Sequence, residues 1–414
     1  MLTTLILAAP VLFQSGSDMD SIAEAYVQTV LALGQHDPDY VDSYYGPAAW
    51  RTQAEASKRP LDAIKADAAQ LIARLQAMPP PADPMRALRH QYLLKQLASL
   101  VSRAAVLLGA RLSFDAEAKA YFDVVPPTFE EEHFRALRAE LGALLPGDGS
   151  LLERYQTFRN RHVIPADKLD QVFQAAIAEG RARTKQHLAL PDGESFRVEY
   201  VKDKPWSAYN WYQGKYQSLI QVNVDLPIYI DRAIDLACHE GYPGHHVYQV
   251  MLEQHLVNER KWIEFTVYPL FSPQSLISEG SANYGIEMVF PERERIEFAR
   301  RVLYPLAQLD PAGAEKYEQV LALVAKLSYA DNEAARRYLD GAIDKAAAQR
   351  WLEEYALLTP ALAERRVRFI ERYRSYVINY NLGKDLVRRF VERSADRWKT
   401  FGDLLASPRL PSGL

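Results

Sequence analysis

Residues 61–75, Leu61-Asp62-Ala63-Ile64-Lys65-Ala66-Asp67-Ala68-Ala69-Gln70-Leu71-Ile72-Ala73-Arg74-Leu75, set apolar side chains at 61, 64, 68, 71, 72 and 75. Steps of three and four place these on one stripe of a 3.6-residue helix, the face that is buried. The same spacing runs from about Ser21 to His187, so this half of the chain predicts stacked helices. Breaks at Pro79-Pro80-Pro81, Pro126-Pro127 and Pro146-Gly147-Asp148-Gly149 fit turn chemistry. After the second break, Thr128 and Glu131 have capping-box spacing and predict a helix start, where Glu130-Glu131-Glu132 would offset the helix dipole.

Working outward, the period changes between Pro191 and Asn223. Asp192-Gly193 signals a turn, and Phe196, Val198 and Tyr200 alternate with Arg197 and Glu199 as in a half-buried strand. A second extended segment, Tyr216 to Val224, follows the aromatic stretch Trp206, Tyr209, Trp211 and Tyr212, which reads as packing. Helices return from Pro227, with Asp225 as a cap, and helical patterns cover Gln319 to Tyr329, Ala347 to Leu358 and Ala361 to Tyr380. No fixed-period repeat or low-complexity stretch interrupts them. The expected fold is mainly α, with a small antiparallel sheet lining one side of a cleft. Residues 18–190 form an N-terminal helical half, 191–226 a β insertion and 227–414 a C-terminal helical half, together one interwoven domain.

The 414 residues are 48% apolar and 25% charged, and 49 basic against 53 acidic side chains leave a net charge of −4. That is the balance of an ordinary globular protein. It argues against nucleic acid as a partner, since no cationic excess exists to neutralise phosphates. A single cysteine, Cys238, excludes an internal disulfide and any cysteine-rich metal cluster, so a metal must be held by carboxylates and by some of nine histidines. Residues Leu2 to Phe13 are apolar but too short to span a bilayer, so no integral membrane span is expected. With Gln14-Ser15-Gly16-Ser17 they resemble a signal segment over 1–17, although no Lys or Arg precedes Arg51. The chain is exported if that segment is cleaved and cytoplasmic otherwise.

Three of the nine histidines fall within Ala237-Cys238-His239-Glu240-Gly241-Tyr242-Pro243-Gly244-His245-His246, beside a carboxylate. In an H-E-x-x-H helix two histidines four apart share a face and bind zinc while the glutamate activates water. Here Pro243 occupies the second histidine's place. Six positions turn a regular helix through about 600°, so His239 and His245 cannot share a metal unless Pro243-Gly244 loops out and restores an effective spacing of four. His246 returns to nearly the same face but ~10 Å along the axis, which favours His245. A third ligand must be a downstream carboxylate: Glu253, Glu259, Glu264, Glu279 or Glu287. Glu279 lies among small residues in Ser278-Glu279-Gly280-Ser281-Ala282-Asn283-Tyr284, which allow close helix packing, and Glu287 is the alternative or a partner of a ligating imidazole. His255 reads as a surface residue.

His-Glu-x-x-Pro-Gly-His-His followed by Glu-Gly-x-Ala-x-Tyr resembles the bacterial DUF885 family, itself similar to gluzincin metallopeptidases of mostly helical fold. Gln221-Val222-Asn223 and Asn379-Tyr380-Asn381-Leu382-Gly383 resemble two further motifs of that family, so the likeness covers roughly residues 190 to 390. It implies a zinc-dependent peptidase with one Zn2+ held by His239, Glu279 and His245 or His246, and with Glu240 as general base. Ser281 replaces the family's usual tryptophan and should enlarge or rehydrate that wall. Arg374-Ser375-Tyr376 replaces its usual Pro-Gly-Gln.

Among the remaining residues, Tyr380 could donate to a developing oxyanion, or be one more of 24 tyrosines in the core or on the surface. Asn223 could bind substrate backbone from a strand edge, or end a strand as a turn residue; His246, if not a ligand, is a second substrate-binding candidate. The expected substrate is a peptide, or alternatively a non-peptide amide or ester. A helical scaffold with a structural ion or none is the competing class.

Overall fold

The computed structural model describes residues 15–204 and 206–414; residues 1–14 of the expected signal segment lie outside the described residues. The fold is mainly α, as the periodicity predicts. Residues 61–75 lie in helix Leu61–Ala77, whose buried side chains are Ile64, Ala68, Leu71 and Leu75, most of the stripe read from the sequence. That helix packs on Pro84–Leu107 and Ser15–Leu33. Among the described residues, no helix is long and apolar enough to cross a membrane.

Helix Pro273–Val289 forms the centre: 14 of its 17 residues are buried, although it is rich in Ser and Gly rather than in large apolar residues. A helix enclosed on every face needs small side chains wherever a neighbour comes close. At Gly280 a Cβ would stand 2.4 Å from the carbonyl oxygen of Gly383 in helix Ile378–Glu392, and at Gly285 one would stand 2.8 Å from the Pro243 ring. Gly280 and Gly383 therefore let their two helices touch backbone to backbone, and Gly285 leaves room for the Pro243 ring.

Three strands, β2 (Ser195–Val201), β3 (Ala208–Gly214) and β4 (Gln217–Asn223), form a sheet in the order β2-β4-β3. The antiparallel pairing expected holds between β3 and β4, while β2 runs parallel to β4. The aromatic stretch around Tyr209 and Trp211 is itself the edge strand β3, which the sequence reading passed over. Trp206, Tyr209 and Trp211 stack on its partly exposed face, Trp211 being 40% exposed. The turn into β4 puts Lys215 and Tyr216 at φ 54° and 61°, a conformation that disfavours side-chain-bearing residues. The Glu253 carboxylate holds it by accepting from both backbone amides, at 3.0 and 3.3 Å. A second ribbon pairs β1 (Val41–Tyr44) with β5 (Val267–Pro269), antiparallel. It brings the N-terminal region against the start of the central helix.

Three predicted boundaries are corrected. Thr128 and Glu131 form no capping box; the helix starts at Glu131 without a side-chain cap, and the Glu131 carboxylate accepts from Tyr355 and Arg135. Asp225 does not cap the helix after Pro227, which begins at Ile230; its carboxylate accepts from the Asp203 amide. The helix expected over Ala361 to Tyr380 ends at Tyr373, and Arg374 sits at φ 52°. The cause is tertiary, because buried Glu117 accepts from Arg374 Nε, the Ser375 amide and the Ser375 hydroxyl at 2.5, 3.1 and 2.7 Å.

Candidate metal centre

Helix Ile230–Leu236 widens into a π turn over Ala237–Gly241, and a new helix begins at His245. The widening is visible in the amides of Tyr242 and Gly244, which reach back to the carbonyls of Ala237 and Cys238 at 3.2 and 2.9 Å. Pro243 has no amide to give, and its peptide bond with Tyr242 is cis. Only glycine fits at 244, where a Cβ would stand 1.9 Å from the His239 carbonyl oxygen. The loop-out expected of Pro243-Gly244 is thus formed, and the imidazoles of His239 and His245 meet with their Nε2 atoms 3.1 Å apart.

Glu279 reaches them from the central helix, with Oε2 3.3 Å from His239 Nε2 and Oε1 3.7 Å from His245 Nε2. One ligand atom from each residue lies within 4.8 Å of the others. Two donors each ~2.1 Å from a tetrahedral cation stand ~3.4 Å apart, so this spacing fits one ion. The hydrogen bonds behind the triad point the same way. Asn283 donates its Nδ2 to the Tyr380 carbonyl at 3.1 Å, leaving its Oδ1 to face His239 Nδ1 at 3.2 Å. His239 Nδ1 then carries a proton, which turns Nε2 toward His245 and Glu279. His245 Nδ1 is matched by the Ser278 hydroxyl at 3.0 Å. With Nδ1–H donated there, the two Nε2 atoms and the Glu279 carboxylate converge, and a bound cation would replace whatever proton His239 holds on that side. Among the described residues, none donates a hydrogen bond to the buried Glu279 Oε2 or Glu240 Oε2. The donor set suits a divalent cation such as zinc, manganese or cobalt.

Titration behaviour follows from burial and neighbours. Burial pushes the His245 imidazole down to about 4 against the pull of Glu279. For His239, burial acts in the same direction, but Glu279 and Glu240 outweigh it and raise the group above its ordinary value. Burial raises Glu240 to about 7, with Glu279 adding to the rise and His239 opposing it. Glu240 is 5% exposed, and its backbone carbonyl accepts from Asn210 Nδ2 of β3 at 2.7 Å.

The other carboxylates considered for the third position are engaged elsewhere. Glu253 holds the β3–β4 turn, Glu264 pairs with Arg89, Glu259 meets His255 on the surface, and Glu287 pairs with Lys384 and Arg388. His246 does not join the triad. It is completely buried on the opposite face, between the Ser218 hydroxyl at 2.9 Å and Glu194 Oε2 at 3.2 Å, so it has no surface to offer a substrate. Asn223 lies on the central strand β4, not on an edge. Its side chain is used internally, donating to the Lys204 and Trp206 carbonyls and accepting from the Asp225 amide, which is the turn-residue role. Tyr380 is brought close enough to Glu279 and Glu240 for both charges, after burial, to raise its hydroxyl. Ser281 does not rehydrate the wall; it is 1% exposed and donates to the Ser278 carbonyl.

Sequence reasoning missed three side chains that serve the site. Tyr376 donates to Glu279 Oε1 at 2.8 Å and fixes the carboxylate. Asn283 lies four residues after Glu279, hence on the same helix face, a spacing that could have singled it out. Asp42, on β1, accepts a hydrogen bond from Tyr209 and stands near enough to Glu279 and Glu240 to feel both. Nothing in its sequence neighbourhood signals that.

No family model matches the chain, and no curated protein matches it. Solved structures do. A candidate lipoprotein from Colwellia psychrerythraea is 14% identical, over 86% of this chain and 62% of that one, with a TM-score of 0.54. The likeness is one of fold. The chain spans about 62% of that protein's length. A candidate lipoprotein of unknown function from Shewanella oneidensis is 14% identical over 97% of this chain and 83% of that one, with a TM-score of 0.48. Metallocarboxypeptidase 1 from Trypanosoma cruzi is 13% identical over 94% and 87%, with a TM-score of 0.46.

Proposed function

We propose that this protein is a zinc-dependent hydrolase of peptide bonds, related to the DUF885 proteins that its histidine and glutamate motifs resemble. The observation that carries the reading is the convergence of His239 Nε2, His245 Nε2 and Glu279 on one point, beside a buried and unpartnered Glu240 carboxylate oxygen. His239, His245 and Glu279 would hold the ion, three protein ligands being the number that leaves a position open for chemistry. Zinc bound there supplies a Lewis acid for the scissile carbonyl and lowers the pKa of a coordinated water to ~7.

Glu240 accepts the proton of the attacking water and returns it to the leaving amine; its burial keeps its basicity in the range where both transfers are feasible. Tyr380 donates to the oxygen on which negative charge develops. Tyr376 and Asn283 hold Glu279 and His239 in their ligating orientations. The outer edge of β3 orients substrate. Among the described residues β3 pairs only with β4, and the Asn223 amide bonds the Ser207 carbonyl, so by alternation the amides and carbonyls of Ala208 and Asn210 face away from the sheet. An extended peptide can pair with them.

The test joins metal analysis to substitution. Purified protein should hold one zinc per chain, and Glu240→Gln should retain that zinc while losing at least ~100-fold in kcat on a peptide substrate. Full activity in Glu240→Gln, or absence of any bound divalent metal after reconstitution, defeats the proposal.

A further inference from the structure

Among the described residues Asp42 is an acid with no cationic side chain beside it. In the β1–β5 ribbon the register slips between Val41 and Ser43, leaving Asp42 as the extra residue of a bulge. Bulges take a side chain out of the strand's alternation and re-aim it. This one turns Asp42 to Tyr209 on β3, whose hydroxyl donates to Oδ1. The next residue, Asn210, clasps the Glu240 carbonyl, so β3 links Asp42 directly to the general base. Tyr268, paired with the neighbouring Ser43 across the ribbon, has its hydroxyl raised by burial and by the charges of Asp42 and Glu279.

Among the described residues Asp42 makes no ion pair, and the charges that reach it, Glu279 and Glu240, are both negative; burial and these two hold its carboxyl up to about 8. Most buried or half-buried acids of this chain are paired with a cation, as Glu264 is with Arg89 and Asp331 with Arg366. A cation beside Asp42 would oppose that rise and favour the ionised carboxylate. An isolated charge withdrawn from water is costly unless something of opposite sign fills the space beside it. Helix Pro360–Tyr373 is tied to the loop before β3 by Arg365, which donates to the Lys204 carbonyl at 2.6 Å, and to the loop before β1 by Arg372, which pairs with Asp39 at 2.6 Å. The two ties are seven residues apart, ~10 Å along the helix.

We infer that Asp42, held by Tyr209, takes the free α-ammonium of the peptide substrate, so that the enzyme acts on unblocked chain ends rather than on internal or N-acylated segments. This rests on the peptidase reading above and names its substrate class. The ammonium donates to the Asp42 carboxylate, the peptide backbone extends along the free edge of β3, and the scissile carbonyl comes to the metal.

The experiment uses a matched pair, the tetrapeptide Ala-Phe-Ala-Ala with a free amine and its N-acetyl form, on the zinc-loaded wild type, Asp42→Asn, Asp42→Glu and Tyr209→Phe. A charge-assisted contact supports at least a ~10-fold preference of the wild type for the free amine in kcat/KM. Asp42→Asn should bring the ratio of the two close to one, chiefly by raising KM for the free peptide. Asp42→Glu should restore part of it, and Tyr209→Phe should lower it by a smaller factor. Calorimetric binding of both peptides to the inactive Glu240→Gln protein, with and without Asp42→Asn, gives a readout independent of turnover. Equal cleavage of both peptides by the wild type, or an undiminished ratio in Asp42→Asn, overturns the inference and leaves the peptidase reading standing. Failure of the wild type to cleave either peptide, or any of a set of longer ones, overturns both. If Asp42→Asn does not fold, an unchanged ratio in Tyr209→Phe overturns the inference on its own.

Discussion

Replacing Gly280 by alanine asks whether the metal centre depends on the crossing of two helices. A Cβ at 280 would stand 2.4 Å from the Gly383 carbonyl oxygen and 2.5 Å from its carbon, where ordinary contact begins at 3.4 Å. Helices Pro273–Val289 and Ile378–Glu392 must therefore part by about 1 Å, because both sides of the clash are backbone and neither can rotate away. Overpacking of this kind costs about 1–3 kcal/mol. Alanine returns about 1 kcal/mol of helix propensity, so the net loss of stability is up to ~2 kcal/mol. The larger effect falls on the site. Glu279 is the adjacent residue, and the bond from Asn283 to the Tyr380 carbonyl, which fixes His239, runs across the same crossing. Outer-shell disturbances of this size weaken metal binding ~10–100-fold, and a ~1 Å misplacement of a catalytic group costs ~100-fold in rate. The assay is zinc affinity by chelator competition, alongside kcat and Tm. Gly142→Ala provides the control: it sits in helix Glu131–Leu144, where a Cβ meets nothing nearer than Arg154 Nη2 at 3.9 Å, and it should raise Tm slightly without touching zinc affinity. Wild-type zinc affinity in Gly280→Ala would show that the crossing does not position the ligands.

Two further predictions concern pH. Glu240 acts as a base only when ionised, so kcat/KM should rise with pH through its pKa; the bound cation draws that value below the about 7 set by burial in the metal-free site, and an acid limb centred above pH 7 contradicts the assignment. Glu194 is buried, which raises its pKa, but hydrogen bonds from His246, Tyr242 and Arg181 prevail and bring it from an ordinary 4.5 down to about 2. A depressed carboxyl contributes stability above its unfolded pKa and loses it as pH falls through the folded one. The shift corresponds to ~3 kcal/mol at 1.36 kcal/mol per unit, reduced to about 2 because Arg181 is half exposed to solvent. Glu194→Gln should thus melt lower than wild type at pH 7, with the gap closing between pH 4.5 and 2; parallel melting curves across that range would remove Glu194 from the account.

Much of this was legible from local chemistry. The stripe at Ile64, Ala68, Leu71 and Leu75 needs only the helical period, and each of those residues is buried. The failure of the strict H-E-x-x-H spacing, and its repair by Pro243-Gly244, could be argued from helix geometry alone, because proline cannot donate and glycine has no Cβ. Glu279 stood out by its small neighbours, and the contact of Gly280 with Gly383 is the reason those neighbours are small. Asn223 misled because strand order cannot be read from one strand: the segment was recognised, but its place at the centre of the sheet removes the free edge it was expected to offer.

What the chain determines on its own, then, is where helices run, which side chains can ligate, and that the histidine helix must be deformed to bring them together. These follow from φ/ψ limits and spacings of a few residues. Whether Glu279 reaches the two imidazoles, which face His246 takes, and that Asp42 and Tyr376 lie beside them were decided only by the tertiary fold. Those residues lie up to more than 300 positions apart in the sequence, and their meeting depends on the crossing of helices and the pairing of β1 with β5. Such contacts are set by the packing of whole elements, and a local pattern carries no record of them.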